Sequence, residues 1–364
     1  MADLVLMTDR LVDPTFWKGK RVLLTGHTGF KGGWAAVWLN RMGAEVTGVS
    51  LPPEGNHSLF DTVVKPLPIT SHILDIRDRE ALAKVVKDAD PEIVLHMAAQ
   101  ALVRRSYREP VETYEINVMG TVNLLHALVP CEAVKAVLIV TSDKVYQNND
   151  DGHAFTEEDR LGGDDPYSSS KAACEIATAS LAKSLFADRP VKIATGRAGN
   201  VIGGGDFSED RLIPDIWRAA EQGQAVTLRF PEATRPWQHV LESVSGYLTY
   251  LQQLWFDDAD RLPSALNFGP RGGEVITVGK IAAEVQAAFG INSDWHLDQM
   301  KQPPEKSYLA LDVSLAKSAL GWQSRWQPEK TLEKTVAWYA AYTGGQDMSQ
   351  MTLSQIEDYE SQKT

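Results

Sequence analysis

A short apolar run, Lys20-Arg21-Val22-Leu23-Leu24-Thr25, breaks at Gly26, and Gly29 and Gly32 follow at three-residue intervals. The next residues, Trp34-Ala35-Ala36-Val37-Trp38-Leu39, have the spacing of an amphipathic helix that ends near Gly43. Strand, Gly-x-x-Gly-x-x-Gly and helix in that order leave few folds open, because together they form a dinucleotide-binding turn. The glycines permit tight turning and close approach of backbone to a pyrophosphate, while the helix N-terminus supplies N–H donors and positive potential. Gly26, Gly29 and Gly32 are therefore candidate cofactor contacts. His27 and Lys31, inside the turn, either touch the pyrophosphate or cap loop groups.

The pattern then repeats. Glu45–Ser50 reads as a second strand, Ser71–Ile76 as a third and Glu92–Ala99 as a fourth, its end formed by small residues beside which a cofactor can lie. A helix is expected over 112–129 from the spacing of Ile116, Met119, Val122, Leu125 and Leu128, and the apolar run Ala136–Val140 is a fifth strand. Five strands separated by helical segments predict an α/β fold, a Rossmann-type doubly wound parallel sheet. The second strand ends in Ser50-Leu51-Pro52, with Glu54 the first carboxylate after it and no arginine nearby. The usual acidic ribose partner is thus missing, but so is a partner for a 2′-phosphate, which favours NAD over NADP.

Two stretches carry chemistry. Thr141-Ser142-Asp143-Lys144 directly follows the fifth strand, where parallel sheets deliver side chains to a crevice. Tyr167 and Lys171 lie one helical turn apart and so share a face. A net charge of −12 argues against a nucleic-acid binder without excluding a local cationic pocket. Two cysteines, Cys131 and Cys174, give neither a disulfide framework nor metal-ligand spacing, so no metal is expected. Residues 1–18 carry Asp3, Asp9 and Asp13 and lack the apolar centre of a signal peptide, and no run is long enough to span a membrane. A cytoplasmic protein is expected.

The chain resembles the extended short-chain dehydrogenase/reductase superfamily through Thr25-Gly26-x-x-Gly29-Phe30-x-Gly32, Asp75-Ile76, His96-x-Ala98-Ala99, Asn117 and Tyr167-x-x-x-Lys171. Within it, Gly29–Trp34, Thr141–Lys144, Arg197–Asp206, Asp210–Pro214 and Arg235–Val240 are similar to the CDP-glucose 4,6-dehydratases. The likeness runs from about Phe16 to Trp338. It implies NAD as cofactor, with Phe30, Asp75, Ile76, Ala98, Ala99 and Asn117 joining the glycine turn, Tyr167 and Lys171 around it. It implies a nucleotide-sugar substrate, CDP-glucose, whose product serves deoxysugar and O-antigen-type polysaccharide synthesis. Tyr167 then takes the proton from the hydroxyl on sugar carbon 4, its phenol made more acidic by Lys171 together with the positive nicotinamide ring, and Ser142 hydrogen-bonds that oxygen. Asp143 becomes the acid for the hydroxyl leaving carbon 6, and Lys144 the group acting at carbon 5. In dTDP-glucose relatives the pair is Asp-Glu, so an amine here replaces a carboxylate. An acid beside an ammonium ion tends to lose its proton, and the conflict eases only if Lys144 is uncharged in the closed site.

After Val201 the alternation breaks up. Gly203-Gly204-Gly205 is expected to be a mobile loop, and Arg211, Arg229 and Arg235 follow in quick succession. By resemblance Asn200 and Arg211 sit near the diphosphate, Arg235 holds a phosphate, and Asn267 and Lys306 lie on the substrate side; Arg229 has no such support and is expected on an exposed strand. His239 reads as a buried, hydrogen-bonded residue at the start of a helix reaching about Trp255. The expected division is a dinucleotide-binding domain, 16–201 plus about 238–266, and a smaller discontinuous substrate domain, about 202–237 plus 267–342. Residues 343–364 are expected to form a loosely attached tail. The resemblance also implies a homodimer or homotetramer assembled through helices over 112–129 and 167–186. Three other readings stay open: a nucleotide-sugar 4-epimerase, a dehydratase of another nucleotide sugar, and an NAD-sensing regulatory protein.

Overall fold

The computed structural model describes residues 12–256, 261–271, 275–300, 302 and 305–362. Its centre is a parallel sheet of seven strands: β1 (Arg21–Thr25), β2 (Glu45–Ser50), β3 (Thr70–Ile73), β4 (Ile93–His96), β5 (Ala136–Val140), β6 (Lys192–Ala198) and β7 (Ala265–Phe268). The spatial order is 7-6-5-4-1-2-3, so the order of the strands reverses between β1 and β4, where a crevice opens at the strand ends. Strand alternation sends Val22 and Leu24 to one core and Leu23 to the other, and likewise splits Leu138 from Val137 and Ile139.

The helices that matter to the site are α1 (Phe30–Arg41), α2 (Arg79–Ala89), α3 (Gly120–Leu128), α4 (Pro166–Leu185), α5 (Val240–Trp255) and α6 (Met348–Ser361). The helix expected over 112–129 begins at Pro110 and passes through one wide turn, Glu115–Met119, before α3. Such widened turns often mark functional positions, and Asn117 lies inside this one.

Several expectations change. The sheet has seven strands rather than five. Strand β6 reads Lys-Ile-Ala-Thr-Gly-Arg-Ala, and its buried Thr195 and Arg197 hide its character; β7 carries Asn267 into the central sheet rather than the smaller lobe. The third strand stops at Ile73 rather than Ile76. The Gly203–Gly205 segment is buried: a Cβ on Gly204 would lie 1.8 Å from the Trp338 ring, and Trp34 Nε1 donates to the Gly204 carbonyl at 2.9 Å. It is a packed crossing, not a mobile loop.

The tail is not loose either. Residue Asp347 caps α6 by accepting from Ser349 and Gln350 amides, and Met348, Ile356 and Tyr359 are buried. Glu360 accepts from Trp38 Nε1 at 2.8 Å, and Tyr359 donates to buried Glu242 at 2.6 Å. The polar surface of this helix masked its few anchors in the sequence. Around the cavity the smaller lobe is built from short pairs, Thr227–Leu228 with His296–Leu297 and Thr234–Arg235 with Ile276–Thr277.

Candidate active site

Strand β5 ends at Val140, and Ser142 turns the chain by accepting a hydrogen bond from the Lys144 amide at 3.2 Å, opening a single tight turn over Asp143–Val145. Helix α4 starts opposite. Asp165 caps it by accepting from the Ser168 amide at 2.9 Å, and Pro166 occupies its first turn. Tyr167 is thereby fixed one residue inside the helix, its amide donating to Ser106 Oγ at 3.1 Å. Its phenol is buried on the same cavity as Ser142, and burial pushes its pKa up to about 12, an effect that Ser142 partly offsets. Lys171, one turn on, donates to the Val140 carbonyl at 3.2 Å, and burial lowers its own pKa. Desolvation of the phenolate is the largest influence on Tyr167 within the protein.

Asp143 is 1% exposed and seated between two residues of the segment after β6. Asn200, in the left-handed region at φ 51°, donates to Asp143 Oδ2 at 2.7 Å, and a Cβ on Gly199 would fall 1.9 Å from the carboxyl carbon. Only glycine fits there. Asn200, expected near the diphosphate, instead orients the carboxylate.

The glycine turn has the cradle that a dinucleotide needs. Gly26 has φ 80°, and a Cβ on it would sit 2.8 Å from the Ala98 amide, while one on Gly32 would sit 2.0 Å from the Gly26 carbonyl. Gly29 caps α1, so the first-turn amides are open to an anion. Thr25 Oγ1 accepts from the Met97 and Ala98 amides at 3.0 and 3.1 Å and holds the end of β4, with its Ala98 and Ala99, alongside. Asn117 donates to the Gln100 carbonyl and to Ser170 Oγ, tying that loop to α4. Asp75 is bound by Arg77 at 2.7 Å, which holds its carboxyl below the usual range. Ile76 packs under Gly120, and Phe30 approaches Gly203.

His27 does not face this cradle. It donates to or accepts from Ser71 Oγ at 2.7 Å, lies edge-on to Phe60, and burial lowers its pKa to about 4, leaving a neutral wedge behind β2. Lys31 does face the cavity, and burial, followed by the nearby Arg211 and Lys171, lowers its pKa to about 7.

A cavity of about 630 Å³ joins Ser142, Asp143, Lys144 and Tyr167 to a cationic far side. There Arg211 pairs with Asp206 at 3.2 Å, Arg235 with Glu305 at 2.6 Å, and Lys306 with Asp164 at 2.6 Å. Arg229, assigned above to an exposed strand, lines the same cavity and shares Asp210 with Arg104. Arg104 and Glu305 escaped the sequence reading, although the position of Arg104 just after β4 is a signal that could have found it. Asn267 is excluded from the cavity: it is fully buried, accepts from Tyr146 and donates to the Phe155 and Asp312 carbonyls.

Residues 22–261 match the NAD dependent epimerase/dehydratase family. The chain belongs to that family. As in the family, NAD is its cofactor, and the glycine cradle and open α1 terminus fit a dinucleotide; its substrate is a nucleotide sugar. It is 45% identical to a CDP-glucose 4,6-dehydratase of Salmonella typhimurium over 97% of this chain and 100% of that protein. A UDP-glucose 4-epimerase of Neisseria meningitidis serogroup C is 26% identical, covering 90% of this chain and 99% of its own. Among solved structures, a dTDP-glucose 4,6-dehydratase from Streptomyces venezuelae superimposes with a TM-score of 0.77 at 23% identity, covering 90% of this chain and 98% of that one, so it shares the fold. Within the described residues no helix is long and apolar enough to cross a membrane.

Proposed function

We propose that this enzyme is a hydro-lyase that converts CDP-glucose to CDP-4-dehydro-6-deoxyglucose and water. The observation that carries the reading is the placement of Asp143 and Lys144 on the same cavity as Tyr167 and Ser142, in a chain 45% identical along its length to a CDP-glucose 4,6-dehydratase. NAD, when bound, accepts a hydride from the sugar and later returns it. Tyr167 removes the proton of the carbon-4 hydroxyl, with Ser142 bonded to the same oxygen. The resulting ketone acidifies the hydrogen on carbon 5. Lys144 takes that hydrogen as a proton while Asp143 protonates the carbon-6 hydroxyl, which leaves as water. Carbon 6 ends as a methyl group, carbon 5 regains a proton, and the cofactor finishes each turnover as it began.

Gly26, Gly29, Phe30, Lys31, Gly32, Asp75, Ile76, Ala98, Ala99, Asn117 and Lys171 surround NAD in this proposal, His27 acting only from behind β2. Arg211, Arg235 and Lys306, with Arg104 and Arg229 added, receive the diphosphate, whose negative oxygens suit arginine's planar fork. Asn200 serves Asp143. A 4-epimerase has no task for an acid and an amine beyond Tyr167 and Lys171, and a cofactor sensor has no task for any of the four. The enzyme is proposed to work in the cytoplasm in deoxysugar synthesis, as a homodimer or homotetramer. Exposed Val111, Met119 and Ile176 on the two helical segments support that assembly. Incubating with NAD and CDP-, UDP- or dTDP-glucose and reading the ultraviolet absorbance of the alkaline 4-keto product tests this. Turnover confined to CDP-glucose is expected; no product from any of the three overturns it.

A further inference from the structure

Three successive residues at the end of β5 are each held by a different turn of α4. Ser142 faces Tyr167 across the cavity and lowers its pKa, Val140 accepts from Lys171 at 3.2 Å, and Thr141 Oγ1 donates to Glu175 at 2.5 Å. Tyr167, Lys171 and Glu175 recur every four residues, so one helix face carries all three anchors. The first two belong to the reaction already described. Glu175 does not line the cavity, yet it is the most heavily bonded group of the set.

Both Glu175 oxygens are filled. Oε1 accepts from Thr141 and from Arg197 Nε at 3.0 Å; Oε2 accepts from Thr195 Oγ1 at 2.6 Å and Arg197 Nη2 at 2.9 Å. The two charged side chains are only 5% and 4% exposed. Arg197 continues the chain of contacts: its Nη1 donates to Tyr146 Oη at 2.9 Å, and Tyr146 donates to Asn267 at 2.6 Å. The turn bearing Asp143 and Lys144 is thus gripped just before it, at Thr141, and just after it, at Tyr146. A buried ion pair of this kind adds little net stability over apolar packing, so its value lies in fixing geometry.

We infer that Glu175, acting through Thr141 and through Arg197 and Tyr146, is a positioning residue that holds the Asp143–Lys144 turn for the elimination step. The inference rests on the dehydratase reading. The oxidation half of the reaction depends on Tyr167 and Lys171, whose own contacts to Ser142 and Val140 do not pass through Glu175. Loosening the Glu175 anchor should therefore uncouple the two halves.

Thr141→Val removes one hydroxyl and leaves Glu175 its bonds to Thr195 and Arg197, so the fold is retained where Glu175→Gln endangers it. The holoenzyme is assayed for turnover of CDP-glucose and for the fraction of cofactor reduced at 340 nm during steady state. Oxidation alone is measured with CDP-6-deoxyglucose, which has no leaving hydroxyl. Thr141→Val should turn over about 10-fold more slowly, since small displacements of reacting groups carry penalties of this order. It should oxidise the 6-deoxy compound at the wild-type rate, and it should accumulate reduced cofactor. Thr141→Ser should restore wild-type values in all three assays. Unchanged turnover in Thr141→Val, or turnover and oxidation falling by one common factor, overturns the positioning role. A wild-type enzyme inert toward every nucleoside-diphosphate glucose would instead remove the dehydratase reading beneath it.

Discussion

The two ends of the cavity are built on different principles. At the chemical end, Ser142 and Asp143 follow β5 and Tyr167 opens α4; all three are almost fully buried, and the Asp143 carboxylate accepts from the neutral Ser142 hydroxyl and Asn200 amide. At the far end, Arg211, Arg229 and Arg235 hang from loops and a short strand and Arg104 from the short helix Val103–Arg108, and each is already paired with a carboxylate of the protein. The first arrangement fixes atoms before substrate arrives. The second keeps guanidinium groups compensated until a diphosphate replaces the carboxylates, which spares the empty site the cost of unpaired buried charge. Arg235 illustrates the exchange: its side chain is 4% exposed while that of Glu305 is 44% exposed, so the carboxylate is the partner free to leave.

If that contrast is right, damage at the chemical end appears in kcat and damage at the far end in KM. Tyr167→Phe should give the largest effect, a fall in kcat of about 10³-fold, within the range for loss of a positioned proton-transfer group. Stopped-flow reduction of NAD by CDP-glucose should fall equally, because the loss precedes elimination. Gly199→Ala comes next. Its added methyl would occupy the place of the Asp143 carboxylate, and kcat should drop about 100-fold with KM within about 3-fold of wild type, as displaced reacting groups require. A KM that rises in step with the loss would break the division between the ends.

The far end should respond in the other coordinate. Arg235→Lys removes the fork while keeping the charge, and KM for CDP-glucose should rise about 10-fold with kcat little changed. Glu305→Gln should move KM the opposite way, by about 2- to 3-fold, because the resident competitor for Arg235 is gone. Burial works against the Glu305 carboxylate, but Arg235 and Lys144 outweigh it and hold its pKa below the usual value. The pair is therefore ionised across the neutral range, and the KM effect should be flat from pH 6 to pH 9.

The same contrast governs what could be read from the residues alone. The chemical end was legible because regular elements carry it: Gly26–Gly32 after β1, Thr141–Lys144 after β5, and Tyr167 one turn from Lys171. Each position follows from strand ends and helix periodicity. At the far end, Arg229 and Arg235 lie six residues apart, and both reach the cavity through short strand pairs that bring 227–228 to 296–297 and 234–235 to 276–277. Carboxylates such as Glu305 arrive from more distant sequence, and no local pattern announces them. His27 misled for a related reason. It lies in the glycine turn, yet Gly48 leaves a space behind β2 that draws its ring inward. Asn267 looked like a substrate contact because nothing in Leu-Asn-Phe-Gly reveals that the asparagine faces a buried tyrosine.

The smallest effect tests a position that belongs to neither end. Glu242 at the start of α5 accepts from the Arg325 and Trp326 amides at 2.9 and 2.7 Å and from Tyr359 of α6. Burial nonetheless raises its pKa to about 7. Between the ordinary carboxylate value of about 4.5 and that raised value, the folded protein retains a proton that the unfolded chain has lost. Stability is therefore greatest on the acid side of this window and declines as pH climbs through it. Glu242→Gln can keep the geometry, its oxygen accepting both amides and its nitrogen donating to Tyr359, which then donates to Ser245. Its Tm should fall less than that of wild type between pH 5 and pH 8, a difference of about 1–3 °C for a chain of this size. The kcat and KM should match wild type, since no residue of α6 lines the cavity. A change in KM would instead mean that the docked C-terminal helix reaches the dinucleotide cradle, and the cavity would then have a third region to explain.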